Sequence, residues 1–280
     1  MSTVDLGAGV AMPALGFGVF QVPADDTQRA VEAALAAGYR HIDTAAAYQN
    51  EAGVGAGIRA SGLPRDEVFV TTKLRNGEQG RDEARAAFGR SLEALGLDRV
   101  DLYLIHWPSP ARGLYVETWD TLIALREEGL ARAIGVSNFL PEHLAALDPS
   151  GVAPAVNQIE LHPTFQQPAT AAASRERGIA VEAYSPLGQG GDLGAGAVTA
   201  AAAAHGATPA QAVLAWHLQR GRVVIPKTVN PERMRENLAA TGLALDEAEL
   251  AAIDALDTPH RIGADPATAE FPQMDLARPR

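Results

Sequence analysis

Eight short apolar, β-branched runs alternate with helical patterns at intervals of roughly thirty residues, and this rhythm limits the possible folds more than any other feature. The runs fall at residues 15–20, 41–44, 68–74, 100–107, 131–137, 156–161, 179–185 and 223–227. Helix starts lie between them. Asp25 with Gln28 and Thr208 with Gln211 read as capping boxes, and Pro209 takes a first helical position. Asn230 followed by Pro231 opens another helix, and Asp246 with Glu249 a late one. Ala84, Ala87, Phe88, Ser91, Leu92 and Leu95 trace one helical face, while Gly38 and Gly129 stand where helices should stop. Strand then helix, eight times over, predicts an α/β fold, a (β/α)8 barrel forming one domain over residues 1–280. The competing open doubly wound sheet announces itself with G-x-G-x-x-G after its first strand, a spacing that none of the 27 glycines satisfies. Residues 4–13 predict a small hairpin closing one barrel end. Residues 188–196, "GQGGDLGAG", predict a flexible loop, and no linker divides the chain.

Charge and composition narrow the function. A formal net charge of −11 argues against a surface that tracks nucleic-acid phosphates, although it leaves room for an anion in a locally basic pocket. With no cysteine, disulfides, thiolate nucleophiles and Cys-based zinc sites are absent. The N-terminus lacks the basic and apolar segments of a signal peptide, and no run approaches the ~18 apolar residues of a membrane span. The expectation is a cytoplasmic monomer acting on a small molecule.

In a barrel of this kind, chemistry gathers at the C-terminal strand ends. Asp43, Lys73, His106 and Ser137 stand there, separated by 30, 33 and 31 residues, so successive strands aim them into one mouth. Tyr48 follows Asp43 by five residues. A buried lysine needs a carboxylate partner, and Asp43 supplies one. A lysine cation beside a phenol favours phenolate, which predicts a lowered Tyr48 pKa and a usable proton donor or acceptor. A histidine alongside can hold a substrate oxygen. Such a set protonates a developing alkoxide but has no hydride to give, so it calls for a nicotinamide cofactor. Other readings stay open: a structural Asp43–Lys73 pair, a metal-dependent hydrolase built on His41, Asp43, His106 and His162, or a Schiff-base aldolase using Lys73 or Lys227.

The segments "GYRHIDTAAAYQNE", "DLYLIHWP", "IGVSNF", "VNQIELHP", "AYSPLG" and "VIPKTVNPERMRENL", in this order over residues 13–256, resemble the aldo-keto reductase superfamily. The compact C-terminus resembles the bacterial branch that includes 2,5-diketo-D-gluconate reductases. The resemblance implies NADPH-dependent reduction of aldehydes or ketones by a tetrad of Asp43, Tyr48, Lys73 and His106, with Tyr48 the general acid. It also implies that Ser137, Asn138 and Gln158 hold the nicotinamide carboxamide and that Tyr184 stacks on the ring. Ser185, Leu187 and Gln189 would cover the pyrophosphate, and Lys227, Thr228, Arg233, Glu236 and Asn237 would surround the adenosine end. Independently, Lys227 at a strand end and Arg233 in a helix's first turn complement a phosphate, unless Arg233 simply pairs with Glu236 on the surface. Some barrels of this resemblance bind the cofactor as sensors with little turnover, a further alternative.

The sequence departs from the common pattern in the expected substrate positions. Phe20 stands where many members have tryptophan, and "KLRN" places Arg75 where many have an aromatic residue, while Trp107 remains. Arg75 therefore predicts a preference for acidic or sugar-like carbonyls, or else points to solvent.

Overall fold

The structure, a computed structural model, describes residues 2–271. Strands β1 (Thr3–Asp5) and β2 (Ala11–Pro13) form the expected antiparallel hairpin. Its turn runs through Gly7, Ala8 and Gly9, all at positive φ, a conformation that costs glycine little. Val10 and Met12 from this hairpin cluster with Phe69 and Val156, the first residues of their strands, and with Leu102 and Leu104 above them. The hairpin thus plugs the end opposite the strand C-termini.

Eight parallel strands follow in sequence order: β3 (Phe17–Gly18), β4 (His41–Asp43), β5 (Phe69–Leu74), β6 (Val100–Ile105), β7 (Ala131–Ser137), β8 (Val156–Glu160), β9 (Ala180–Tyr184) and β10 (Val223–Val224). A parallel bridge between Leu15 and Val224 joins the last strand to the first, with Gly16 N–H donating to Val224 O at 2.8 Å and Val224 N–H to Ala14 O at 2.9 Å. The sheet is therefore curled into the predicted (β/α)8 barrel. The first and last strands are shorter than expected. Pro226 has no N–H to give the ladder, so regular pairing stops after Val224.

The helices surround this sheet, and their termini follow local chemistry. Thr208 with Gln211 and Asp246 with Glu249 form reciprocal capping boxes, and the Asn230 side chain accepts from the N–H groups of Glu232 and Arg233. The box expected at Asp25 and Gln28 does not form. Pro23 caps helix Ala24–Ala37 instead, so Asp25 and Asp26 fall inside its first turn, where carboxylates suit the helix dipole. Gly38, at φ 113°, ends that helix as expected. Ala84, Ala87, Phe88, Ser91 and Leu95 are buried as their spacing predicts. Residues 188–194 are ordered 3-10 turns, not an open loop, kinked where Gln189 and Gly190 take positive φ. After the last helix, Glu247–Asp254, the chain crosses towards the strand C-termini. Of the C-terminal tail, Pro272 and Pro279 lie outside the described residues.

Candidate active site

Asp43 ends β4, and Lys73 lies near the end of β5 beside it. His106 follows β6, and Tyr48 closes the 3-10 turn Ala46–Tyr48. The turn is pinned from below by a residue the motifs did not single out. Asn50 accepts from Thr44 Oγ1 at 2.9 Å and donates to Val19 O and Val22 O at 3.0 and 3.1 Å. Its polar side chain just beyond the tyrosine was the available signal.

Lys73 Nζ donates to Asp43 Oδ1 at 2.7 Å, Thr44 O at 2.9 Å and the Tyr48 hydroxyl at 3.3 Å. All three ammonium hydrogens therefore have partners. Lys73 is fully buried and its pKa is nonetheless raised; burial opposes the charge, but Asp43 and Tyr48 outweigh it. A Schiff-base nucleophile must first shed that proton, so this environment disfavours the aldolase reading. The Tyr48 ring is flanked by Phe20 and His106, with centroids at 5.2 and 5.7 Å. Its pKa moves opposite to expectation: desolvation raises it more than Lys73 lowers it. Tyr48 therefore keeps its proton at neutral pH. Burial and then Lys73 push His106 well below the ordinary histidine range, leaving a neutral imidazole. Nδ1 of His106 is buried without a partner among the described residues. His41 belongs elsewhere: its ring nitrogens meet Pro13 O at 3.3 Å and Thr71 Oγ1 at 3.1 Å inside the barrel, which removes it from any shared ligand set with Asp43.

A cavity of about 330 Å³ opens over this cluster. Asp43, Tyr48, His106, Phe20 and Trp107 line it, as do Ser137, Asn138, Gln158, Tyr184, Ser185, Gln189 and Lys227. Asn138 sits at φ 64°, with its amide nitrogen donating to His106 O at 3.0 Å and its oxygen accepting from the Tyr184 hydroxyl at 2.8 Å. Ser137 Oγ donates to Gln158 O at 2.8 Å, and Gln158 Nε2 donates to Asp43 Oδ2 at 2.9 Å. These amides and hydroxyls, next to an aromatic ring, suit a ligand with a planar carboxamide.

Five expected cofactor residues lie off this cavity. Leu187 packs partly into the hydrophobic core, and Thr228 Oγ1 accepts the Asn230 N–H at 3.2 Å. Arg233 is exposed in the first turn of helix Pro231–Ala239. Glu236 accepts from Thr208 Oγ1 at 2.5 Å, and no Arg233–Glu236 ion pair forms among the described residues. Asn237 is buried beside the Tyr39 phenol, which donates to Met234 O at 3.1 Å. Arg75 is likewise outside the cavity: its guanidinium donates to Ala46 O at 2.7 Å in a separate cleft with Glu51, Glu78 and Arg90. That backbone acceptor behind the Tyr48 turn draws it away from the position a substrate would take.

Phe271, Gly263 and Ala264, which no motif singled out, close the cavity from the C-terminal segment. Glu160 holds that segment, accepting from Ile262 N–H at 2.6 Å and Gly263 N–H at 2.8 Å. Phe271 packs edge-on against Trp107 at 5.5 Å between ring centroids. No local periodicity marks these positions, because they depend on contacts across more than a hundred residues.

The Aldo/keto reductase family model matches residues 6–196 and 194–258. The chain belongs to the aldo/keto reductase family. It is 52% identical to an aldo-keto reductase of Mycobacterium sp. (strain KMS), over 96% of this chain and 98% of that one. It is 48% identical to morphine 6-dehydrogenase of Pseudomonas putida, over 94% of each chain. Among solved structures, a Gox0644 variant in complex with NADPH superposes with a TM-score of 0.92 at 46% identity, covering 96% of this chain and 99% of that one. This aldo/keto reductase thus belongs among the oxidoreductases, and it carries the expected polar set at the mouth of its barrel.

Proposed function

We propose that this chain reduces aldehydes or ketones to alcohols with NADPH, Tyr48 supplying the proton. The observation that carries the reading is Lys73 Nζ, held between Asp43 at 2.7 Å and the Tyr48 hydroxyl at 3.3 Å under an aromatic-walled cavity. NADPH, when bound, supplies the hydride. Ser137, Asn138 and Gln158 would hold its carboxamide beside Tyr184, Ser185 and Gln189 would lie along the pyrophosphate, and Lys227 and Arg233 would meet the adenosine phosphate. Tyr48 donates its proton to the carbonyl oxygen as negative charge develops there, while neutral His106 orients that oxygen. Lys73, itself fixed by Asp43, stabilises the phenolate left behind.

The substrate end favours apolar and aromatic carbonyls over sugar acids. Phe20, Trp107 and Phe271 form its walls, and Arg75, the expected anion partner, lies in another cleft. The relative named morphine 6-dehydrogenase supports a site able to take bulky ring systems. Fluorescence titration with NADPH and NADH tests the cofactor pocket, with NADPH expected to bind markedly tighter. Steady-state turnover of phenyl-substituted and carboxylated aldehydes then tests the substrate end, with higher kcat/KM for the former. Failure to bind either nucleotide overturns the reductase reading, and binding without turnover points to a sensor.

A further inference from the structure

Glu182 is the third residue of β9, and its register partner on β8 is Gln158. The side chain is fully buried inside the barrel, one layer beneath the cavity. One amide nitrogen, Gln158 Nε2, donates to Glu182 Oε2 at 2.8 Å and to Asp43 Oδ2 at 2.9 Å. An amide NH2 has two hydrogens, so the group is fully used in joining these carboxyl groups. Glu182 Oε1 has no hydrogen-bond partner among the described residues. His41 Nε2 lies 3.7 Å from it but is engaged with Thr71 Oγ1 at 3.1 Å. On its other side β10 offers Val223, which cannot titrate.

We infer that Glu182 is a positioning residue of this centre, whose ionisation, relayed through Gln158 and Asp43, sets the pH at which Tyr48 yields its proton. The inference rests on Tyr48 as the proton donor. The charged and titratable groups facing Glu182 are Asp43 and His41 from β4, Lys73 from β5, and Tyr48 from its turn. Lys73 and Asp43 cancel as a pair, so an ionised Glu182 leaves the buried centre with an excess negative charge. Burial and then Asp43 raise the Glu182 pKa to about 8, opposed by Gln158 and Lys73. The acid is therefore neutral at pH 7 and loses its proton in mildly alkaline solution. The new charge opposes a second anion at Tyr48, whose pKa Glu182 already helps to raise. Reduction, which requires the phenol, is thereby extended to higher pH. Alcohol oxidation, which requires the phenolate, is delayed.

The test compares the parent with Glu182→Gln, an uncharged variant of the same shape that can still accept from Gln158. Profiles of kcat against pH are measured for carbonyl reduction and alcohol oxidation. The alkaline fall of reduction and the rise of oxidation should both move down by roughly 0.5 to 1 pH unit, the size expected from removing one nearby buried charge. The ultraviolet tyrosinate band of the cofactor-free protein, with Tyr48→Phe subtracted, should move in the same direction. Glu182→Asp restores a carboxylate and should bring these midpoints back towards the parent; should Glu182→Gln fail to fold, Glu182→Met, also uncharged, makes the same comparison and should move the midpoints the same way. Unmoved midpoints in a folded Glu182→Gln variant overturn the inference while leaving the reductase reading intact. Full activity of Tyr48→Phe instead overturns the reading on which it rests.

Discussion

The tetrad residues sit in one small volume, yet burial and charge push their protonation in different directions. Lys73 stays charged because Asp43 and Tyr48 offset desolvation, whereas His106 stays neutral because burial and Lys73 act together. Tyr48 feels both influences, and desolvation prevails, so the phenol keeps the proton that the proposed donor role requires. Tyr48→Phe preserves the ring against Phe20 and His106 but removes the proton. Its kcat for carbonyl reduction should fall by about 10²–10⁴, the usual loss when a general acid is removed. NADPH affinity, measured by fluorescence titration, should change little; near-parental kcat would exclude Tyr48 as the acid. The tetrad was legible because Asp43, Lys73 and His106 recur at strand-end intervals. The direction of the Tyr48 shift was not, since the sequence names its cationic neighbour but not how much water the fold excludes. Arg75 stayed between two readings for a related reason. Its place after β5 was evident, but the Ala46 carbonyl that captures it belongs to a neighbouring turn.

At the scale of elements, strand order and most helix starts followed from patterns within a few residues, such as Thr208 with Gln211. Contacts between distant segments were harder to read. Residues 188–194 looked open because glycine dominates them, but Asp192 ties them down: Oδ2 meets His162 Nδ1 at 2.8 Å, and Oδ1 accepts from Thr164 Oγ1 at 2.7 Å. His162 also approaches Glu160 Oε1 at 3.4 Å, the carboxylate that holds the C-terminal segment. One imidazole thus stands between the turn assigned to the pyrophosphate and the segment covering the substrate end. Although burial opposes its charge, Asp192 and Glu160 raise the His162 pKa to about 9. Asp192→Asn should loosen this turn and weaken NADPH binding by about tenfold, corresponding to one lost charge-assisted hydrogen bond. Fluorescence titration checks this near pH 7, where His162 is charged. The difference should narrow above pH 9 as the imidazolium is lost from both proteins; unchanged affinity at pH 7 would remove Asp192 from this role.

Over the whole molecule, the barrel interior combines two kinds of packing. Apolar side chains fill its lower end beneath the hairpin, while His41, Lys73, Gln158 and Glu182 occupy the region under the cavity. The polar layer makes stability depend on pH through groups titrating in opposite senses. Burial lowers the His41 pKa to about 4. Its folded value lies below the ordinary 6.5, so its contribution is full above that value and declines as pH falls towards 4. Glu160 and Asp192, both lowered despite burial because hydrogen bonds and cations favour their charge, add to the acid-side loss. Glu182 acts in reverse. Its folded pKa of about 8 exceeds the unfolded 4.5, so its contribution is complete below 4.5 and lost as pH climbs through 8. His162 continues that decline, with a contribution present below 6.5 and lost through about 9. Thermal unfolding of the cofactor-free protein from pH 4 to 10 should therefore show a maximum Tm near pH ~6 and a descending alkaline arm. Glu182→Gln should flatten that arm between pH 6 and 8, leaving the His162 decline near 9 in place. A Tm that rises steadily from pH 6 to 9 would contradict both assignments, because it requires the unfolded chain to bind more protons than the folded one across that interval.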